Sequence, residues 1–276
     1  MMRAAWLTDI HLNFLEPPQI AEFLDGIAAA SADVVLIGGD IAEARDLVAR
    51  LREIETALRR PIHFVLGNHD FYGGSIAGVR AEVAELCAHS RWLHWLPASG
   101  TVGLTATACL LGHDGWGDGR VGDFANPDFI LNDFFLIKEL TTRAIPRSGP
   151  ANPKTKEAQL QIQRLGDEAA RHVAGLLPSA LERYRRVIVL THVPPFKEAS
   201  WHMGHRSDPE ALPFFVCQAL GDVLLAAMRD RPDREMTVLC GHTHGSGTAR
   251  ILPNLECLTG GAEYGQPRLQ RVLEID

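Results

Sequence analysis

The sequence predicts an α/β fold in which a parallel sheet is covered on both faces. Strand–helix–strand order repeats through the first half of the chain, and its apolar runs are continuous rather than alternating, as in strands buried on both sides. The chain is also long enough: 276 residues, 46% hydrophobic and 22% charged, supply a core without disulfide or metal staples. About two domains of ~150 residues, or one large α/β domain, fit that length.

Taken in order, Ala4 to Leu7 reads as a strand. Pro18 to Ala30 reads as a helix with Ile20, Phe23, Leu24 and Ile27 on one face. Val34 to Ile37 is a buried strand, and Glu43 to Leu58 a helix carrying Leu47, Leu51, Ile54 and Leu58. Ile62 to Leu66 is the next strand and Ser75 to Ala88 the next helix. Residues 92–111 read as short strands with Gly100 and Gly103 as turn signals, Leu93, Trp95 and Leu96 being core. Residues 112–156 are rich in Gly, Asp, Asn and Pro, with a helix expected over Phe129 to Ile145. A segment of this kind is usually functional or mobile. Lys156 to Leu177 is a helix, with Glu157, Arg164, Glu168, Arg171 and His172 on a solvated face. Val187 to Leu190 is a strand, Pro209 to Met228 mostly helical, and Thr237 to Cys240 a strand. The tail around Ile251, Leu258 and Val272 reads as a β-meander.

Composition excludes several classes. The formal charge of −7 argues against a broad nucleic-acid face. No apolar run approaches the ~18 residues of a membrane helix, and the first residues do not form a secretory signal. Five widely spaced cysteines with no C-x-x-C pair suit a reduced, cytoplasmic protein.

The information lies in where the polar residues fall. Five apolar runs end in donor residues: Trp6-Leu7-Thr8 before Asp9 and His11, Leu36 to Gly39 before Asp40, and Val65-Leu66-Gly67 before Asn68-His69-Asp70. Val189-Leu190-Thr191 precedes His192, and Leu239-Cys240-Gly241 precedes His242 and His244. Ligand crevices of parallel sheets form at the carboxyl ends of strands, so one shared site is expected. Oxygen and imidazole donors without thiolate suit manganese, iron or zinc. In extended backbone, Asp-x-His and His-x-His place both members on one face. These candidate donors exceed what one four-coordinate ion takes, and two ions bridged by a carboxylate would use them.

In this order, Asp9-x-His11, Gly39-Asp40, Gly67-Asn68-His69-Asp70, His192 and Gly241-His242-x-His244 resemble the calcineurin-like metallophosphoesterase family. The resemblance implies a four-layer α/β/β/α sandwich. It also implies a single domain over residues 1–276, with an insertion at about 112–156. Asp9, His11 and His244 would hold one divalent metal, and Asn68, His192 and His242 the other, with Asp40 bridging. His69 would act on the substrate as an imidazolium, oriented and kept charged by Asp70. The expected chemistry is in-line attack of a metal-bridging hydroxide on a small phosphomonoester or phosphodiester. The chain departs from the protein Ser/Thr phosphatase branch: Asp40 is followed by Ile41-Ala42-Glu43, and Asp70 stands where that branch carries Glu.

Other positions carry two readings. His113 and Asp114 either line the site or open a loop. Trp116, Arg120, Asn126 and Lys138 are either a substrate wall or a self-packed loop, and His202 and His205, near Trp201 and Arg206, either cover the crevice or lie outside it. A small-molecule phosphoester is the expected partner, with no membrane surface and no nucleic acid. A nuclease-like or nucleotide-directed phosphodiesterase, and a metal-bearing interaction protein without catalysis, are the alternatives. Residue types alone do not identify the oligomeric state.

Overall fold

A computed structural model describes residues 1–124, 130–141 and 155–276. In chain order its strands are β1 (Met2–Leu7), β2 (Val34–Gly38), β3 (Ile62–Val65), β4 (Leu93–Trp95), β5 (Val102–Gly103), β6 (Ala108–His113), β7 (Arg186–Thr191), β8 (Trp201–His202), β9 (His205–Arg206), β10 (Glu235–Cys240), β11 (Gly247–Leu252), β12 (Leu255–Thr259) and β13 (Arg271–Ile275). The helices are α1 (Pro17–Ala29), α2 (Ala44–Leu58), α3 (Ile76–Ala88), α4 (Leu96–Ser99), α5 (Asp133–Leu136), α6 (Lys156–Arg183), α7 (Leu212–Phe215) and α8 (Gln218–Arg229).

Two sheets form the centre. One has the order β13-β1-β2-β3-β4, the other β11-β12-β10-β7-β6-β5. Strands β1 to β4 run parallel, as do β6, β7, β10 and β12, so the carboxyl ends within each set share an edge. The layers follow from side-chain alternation. Trp6, Leu36 and Val65 of the first sheet pack with Leu110, Ile188 and Leu239 of the second. Their neighbours Leu7, Val35 and Phe64 turn the other way, onto Leu24, Leu51 and Val83 of α1, α2 and α3. On the second sheet Val187, Val189 and Val238 meet Val173 and Leu177 of α6 and Leu220 and Leu224 of α8. Both faces of each central strand are therefore dry, which is why the strands read as unbroken apolar runs. Each such side chain contributes ~1.5–3 kcal/mol by leaving water.

Local chemistry sets the helix starts. Glu16 and Gln19 form a reciprocal capping box before Pro17. Ser75 accepts from Gly78 N–H at the start of α3, and Thr155 from Ala158 N–H at the start of α6.

The structure corrects four expectations. Helix α6 does not stop near Leu177: Pro178 removes one helical N–H, and Ala180 and Leu181 beyond it are held in the core of the second sheet. Of the helix expected over Phe129 to Ile145, the described part contains only the turn α5; Phe129 and residues 142–145 lie outside the described residues. The tail is no meander. β11 and β12 form a hairpin in which β12 pairs parallel with β10, while β13 crosses to the first sheet and pairs antiparallel with β1. Gly103 lies in β5 rather than in a turn, while Gly100 has the positive φ of a turn glycine.

Candidate dinuclear metal centre

The donors come from loops that follow β1, β2, β3, β7 and β10, and backbone hydrogen bonds sew these loops together. Asp9 N–H donates to Gly39 C=O and His11 N–H to Asp40 C=O, while Gly241 N–H donates to His192 C=O. His242 N–H donates to Asp9 Oδ1 at 2.9 Å. Two glycines allow the loops to touch. A Cβ at Gly67 would overlap Asp40 Oδ1, and one at Gly241 would overlap Asp9 Oδ2 and the Thr8 hydroxyl.

In the first donor group, Asp9, His11, Asp40 and His244 each offer an atom within 4.8 Å of the others. His11 Nε2 lies 3.2 Å from His244 Nε2, and Asp9 Oδ1 lies 3.6 Å from His244 Nε2. The second group is closer. His192 Nε2 is 3.1 Å from His242 Nδ1, and Asn68 Oδ1 is 3.1 Å and 2.9 Å from these two nitrogens. Asp40 stands between the groups: its Oδ1 is 3.4 Å from His192 Nε2, and its Oδ2 is 3.7 Å from His11 Nε2.

Proton placement tests whether the second group fits a cation. His192 Nδ1 is 2.8 Å from Gly38 C=O, an acceptor only, so that nitrogen carries the ring proton. His242 Nε2 is 3.1 Å from Phe214 C=O and carries its proton for the same reason. Asn68 directs both amide hydrogens away, to Tyr72 Oη at 3.1 Å and Asp133 Oδ1 at 2.8 Å. Three bare lone pairs are thus left facing one another in a buried place. No hydrogen bond satisfies that arrangement, and a cation does. Nitrogen and oxygen donors about 2.0–2.2 Å from a common ion stand roughly 2.9–3.5 Å apart, as these do.

Electrostatics without an ion point the same way. Burial pushes the Asp9 carboxyl up to about 7, against the hydrogen bonds from Thr8 and His242 N–H, and Asp40 moves in the same direction chiefly through burial. Burial holds the His11 and His242 rings well below the usual imidazole range, and His244 down to about 4. Neutral imidazoles are the form that ligates metal.

His69 lies at the edge of this cluster. Its ring centroid is 4.7 Å from that of His11 and 4.3 Å from that of Tyr72, and its Nδ1 has no hydrogen-bond partner. Burial pushes His69 down to about 4, outweighing the upward pull of Asp133. The role expected for Asp70 is corrected. Its carboxylate accepts from the backbone N–H groups of Ile41, Ala42 and Gly67, so it fixes two donor loops and makes no hydrogen bond to His69.

The four expected substrate contacts divide. His113 is buried, accepts from Gly115 N–H, and packs on His172 with Glu168 3.9 Å away, so it belongs to a structural cluster. Beside it, Asp114 accepts from Leu66 N–H and Trp95 Nε1 and pairs with Arg80, which also reaches Glu168. Helix α6 is thus tied to the core through a residue assigned to its solvated face. Arg120 is committed to Asp118 at 2.9 Å and Asp167 at 2.7 Å. His202 supports the site, since its Nδ1 meets Thr243 C=O at 2.9 Å, between His242 and His244. His205 is exposed, and its Nδ1 contacts the carbonyl of Arg206. Trp116 is buried against Phe71, Lys138 is exposed, and Asn126 lies outside the described residues.

Sequence reasoning missed two residues. Asp133 is buried and accepts from both Asn68 Nδ2 and Tyr72 Oη, each at 2.8 Å. Tyr264 is half-exposed, with ring centroids 4.7 Å from His11, 5.0 Å from His244 and 4.9 Å from the equally exposed Phe14. Neither stands in a motif. A single Asp in a Gly- and Asp-rich stretch and a lone Tyr near the end of the chain carry no periodic signal.

A family model described as calcineurin-like phosphoesterase matches residues 2–246. Among curated proteins no sequence matches. Several solved structures share the fold. A phosphopantetheinyl hydrolase from Mycobacterium tuberculosis superposes with a TM-score of 0.63 at 13% identity, covering 94% of this chain and 89% of that one. A dimetal phosphatase from Danio rerio superposes with a TM-score of 0.58 at 12% identity, covering 94% and 87%. A Plasmodium protein described as the anchor in the inner membrane complex superposes with a TM-score of 0.50 at 13% identity, covering 99% and 77%. At such identities the likeness establishes architecture alone.

Proposed function

This chain belongs to the calcineurin-like phosphoesterase family and is a phosphate-ester hydrolase; on that premise we propose that it hydrolyses small phosphomonoesters or phosphodiesters with two divalent cations. Asp9, His11 and His244 would hold one cation and Asn68, His192 and His242 the other, with Asp40 shared between them. The observation that carries this reading is the set of unprotonated lone pairs of Asn68, His192 and His242, which only a cation satisfies. A shared fold alone would not carry it, since an anchor protein has that fold too.

Two cations bound there supply Lewis acidity toward a phosphoryl group and acidify a water molecule. The chain's own residues do the rest. His69 presents its ring beside the first donor group and donates a ring N–H to a phosphoryl or leaving-group oxygen. Gly67 and Asp70 hold the loop that carries it. Phe14 and Tyr264 form an apolar rim beside His11 and His244, where the organic part of a small ester would lie.

Manganese, iron and zinc all suit the oxygen and imidazole donors. Unpaired thiols at all five cysteines support a reducing compartment such as the cytoplasm. Among the described residues no helix is long and apolar enough to cross a membrane.

The test uses p-nitrophenyl phosphate and its bis ester. Purified protein is stripped with a chelator, then given Mn²⁺, Fe²⁺ or Zn²⁺. Turnover of at least one ester, lost on chelation and restored by metal, is expected. No turnover of either ester with any metal would overturn the proposal in favour of a non-catalytic interaction protein.

A further inference from the structure

We propose that Asp133, a positioning residue at the start of α5, completes the second cation site by locking the Asn68 amide with its oxygen turned toward His192 and His242. The inference rests on the metal-centre reading above and concerns how the two halves of that centre differ.

The first donor group is built entirely from the loops after β1, β2 and β10. The second depends on a side-chain amide, and an amide has two faces. Turned by half a rotation, Asn68 would direct N–H groups at His192 and His242 and would repel a cation. The choice is made by Asp133. Its Oδ1 accepts from Asn68 Nδ2 and from Tyr72 Oη, both at 2.8 Å, and Tyr72 Oη in turn lies 3.1 Å from Asn68 Nδ2. The three side chains close a ring in which every amide hydrogen has an acceptor. All three are buried, so no exposed side chain takes part in the ring.

Asp133 is held in place by further contacts of its own helix. Helix α5 packs through Phe134 onto Phe124 and Phe214, and Gly73 N–H donates to Leu136 C=O. On the other side Ile76 and Ala77 N–H donate to Glu139. Leu136 and Glu139 are therefore clasped to the chain that follows His69, which holds Asp133 against Asn68. Outer partners that orient a ligand typically set metal affinity by ~10–100-fold.

The experiment titrates metal-stripped full-length protein with Mn²⁺, reading affinities by calorimetry, bound metal by elemental analysis and ion–ion coupling by electron paramagnetic resonance. Wild type is expected to bind two ions with a coupled spectrum. Asp133→Ala should bind the first ion within about threefold of wild type, weaken the second by ~10–100-fold, and show the spectrum of isolated Mn²⁺. Asp133→Asn, which keeps a carbonyl acceptor, should lose less. Tyr72→Phe keeps the ring and removes the hydroxyl, so it reads the same network if Asp133→Ala folds poorly. Second-ion affinity unchanged in both Asp133→Ala and Tyr72→Phe would overturn the inference, as would loss of both ions in parallel. Wild type that binds no Mn²⁺ would instead overturn the metal reading on which it stands.

Discussion

Replacing Asp9 by Asn should stabilise the metal-free protein while removing its first cation site. Asp9 is 2% exposed, and burial raises its carboxyl from 3.8 to about 7. A group whose folded pKa lies above its unfolded value gives stability that is fully present below about pH 4 and is lost as pH rises through about 7. At 1.36 kcal/mol for each unit of pKa, the ionised carboxylate at pH 8 costs the metal-free fold on the order of 4 kcal/mol. Asn keeps the shape and tolerates the positive φ of 51° at this position. Its carbonyl still accepts from His242 N–H, and its NH₂ can donate to the Thr8 hydroxyl, which now donates to Asp9 at 2.6 Å. Weaker neutral hydrogen bonds take back ~1–2 kcal/mol, leaving a gain of about 2–3 kcal/mol. The assay is urea unfolding of chelator-treated wild type and Asp9→Asn from pH 4 to pH 8, with Mn²⁺ calorimetry at pH 8. The gain should be largest at pH 8 and vanish near pH 4, and the variant should bind one ion fewer. A variant no more stable than wild type at pH 8, or one that binds both ions with wild-type affinity, would refute the account of Asp9 as a buried charge held for a cation.

Three further outcomes follow from the same geometry. His69→Ala should lower turnover ~10²–10⁴-fold with bound metal unchanged; parallel loss of metal would make His69 a ligand instead. Gly67→Ala places a Cβ on Asp40 Oδ1 and 2.6 Å from both Asp40 N and His192 Cε1, so it should cost ~1–3 kcal/mol and abolish binding of both ions by elemental analysis. Arg120→Ala should lower the melting temperature, because it strips a partner from the fully buried Asp118, and should leave KM within about twofold; a large rise in KM alone would return Arg120 to the substrate wall.

The donors were legible because each follows a strand whose two faces are both dry, and such strands announce their ends. The layers were harder to see. Nothing in Arg271–Ile275 indicates that it leaves the second sheet to pair with Met2–Leu7, since that pairing joins the two ends of the chain. The resemblance implied that Asp70 orients His69, but its carboxyl accepts from backbone N–H groups instead. The residues His69–Phe71 form a 3₁₀ turn, in which neighbouring side chains point in different directions, and Asp70 turns inward to backbone N–H groups. The two readings of Arg120 stayed open in the sequence because its partner Asp167, 47 residues away, meets it only in the folded chain. Asp133 was illegible for the same reason: its partner Asn68 is 65 residues distant.

Backbone geometry separates a site kept for chemistry from a fold merely inherited. Among the described residues, eight other than glycine have positive φ, and five of them are Asp9, His11, Asp40, His242 and His244. Such conformations cost ~1–3 kcal/mol each for ordinary residues, somewhat less for Asp. Glycine at these five positions would relieve the strain and keep the loops. A protein that used this architecture only as a scaffold would gain stability from that exchange and from losing two buried carboxylates. Retaining both the strain and the charges, with every lone pair turned inward, makes sense for a chain whose stability is completed by cations and whose cations do work. Metal-stripped wild type should accordingly be less stable than its loaded form by RT ln(1 + [M]/Kd), a difference that reaches about 4 kcal/mol at a thousandfold excess over Kd. A melting temperature that does not respond to Mn²⁺ would break this link between strain and function.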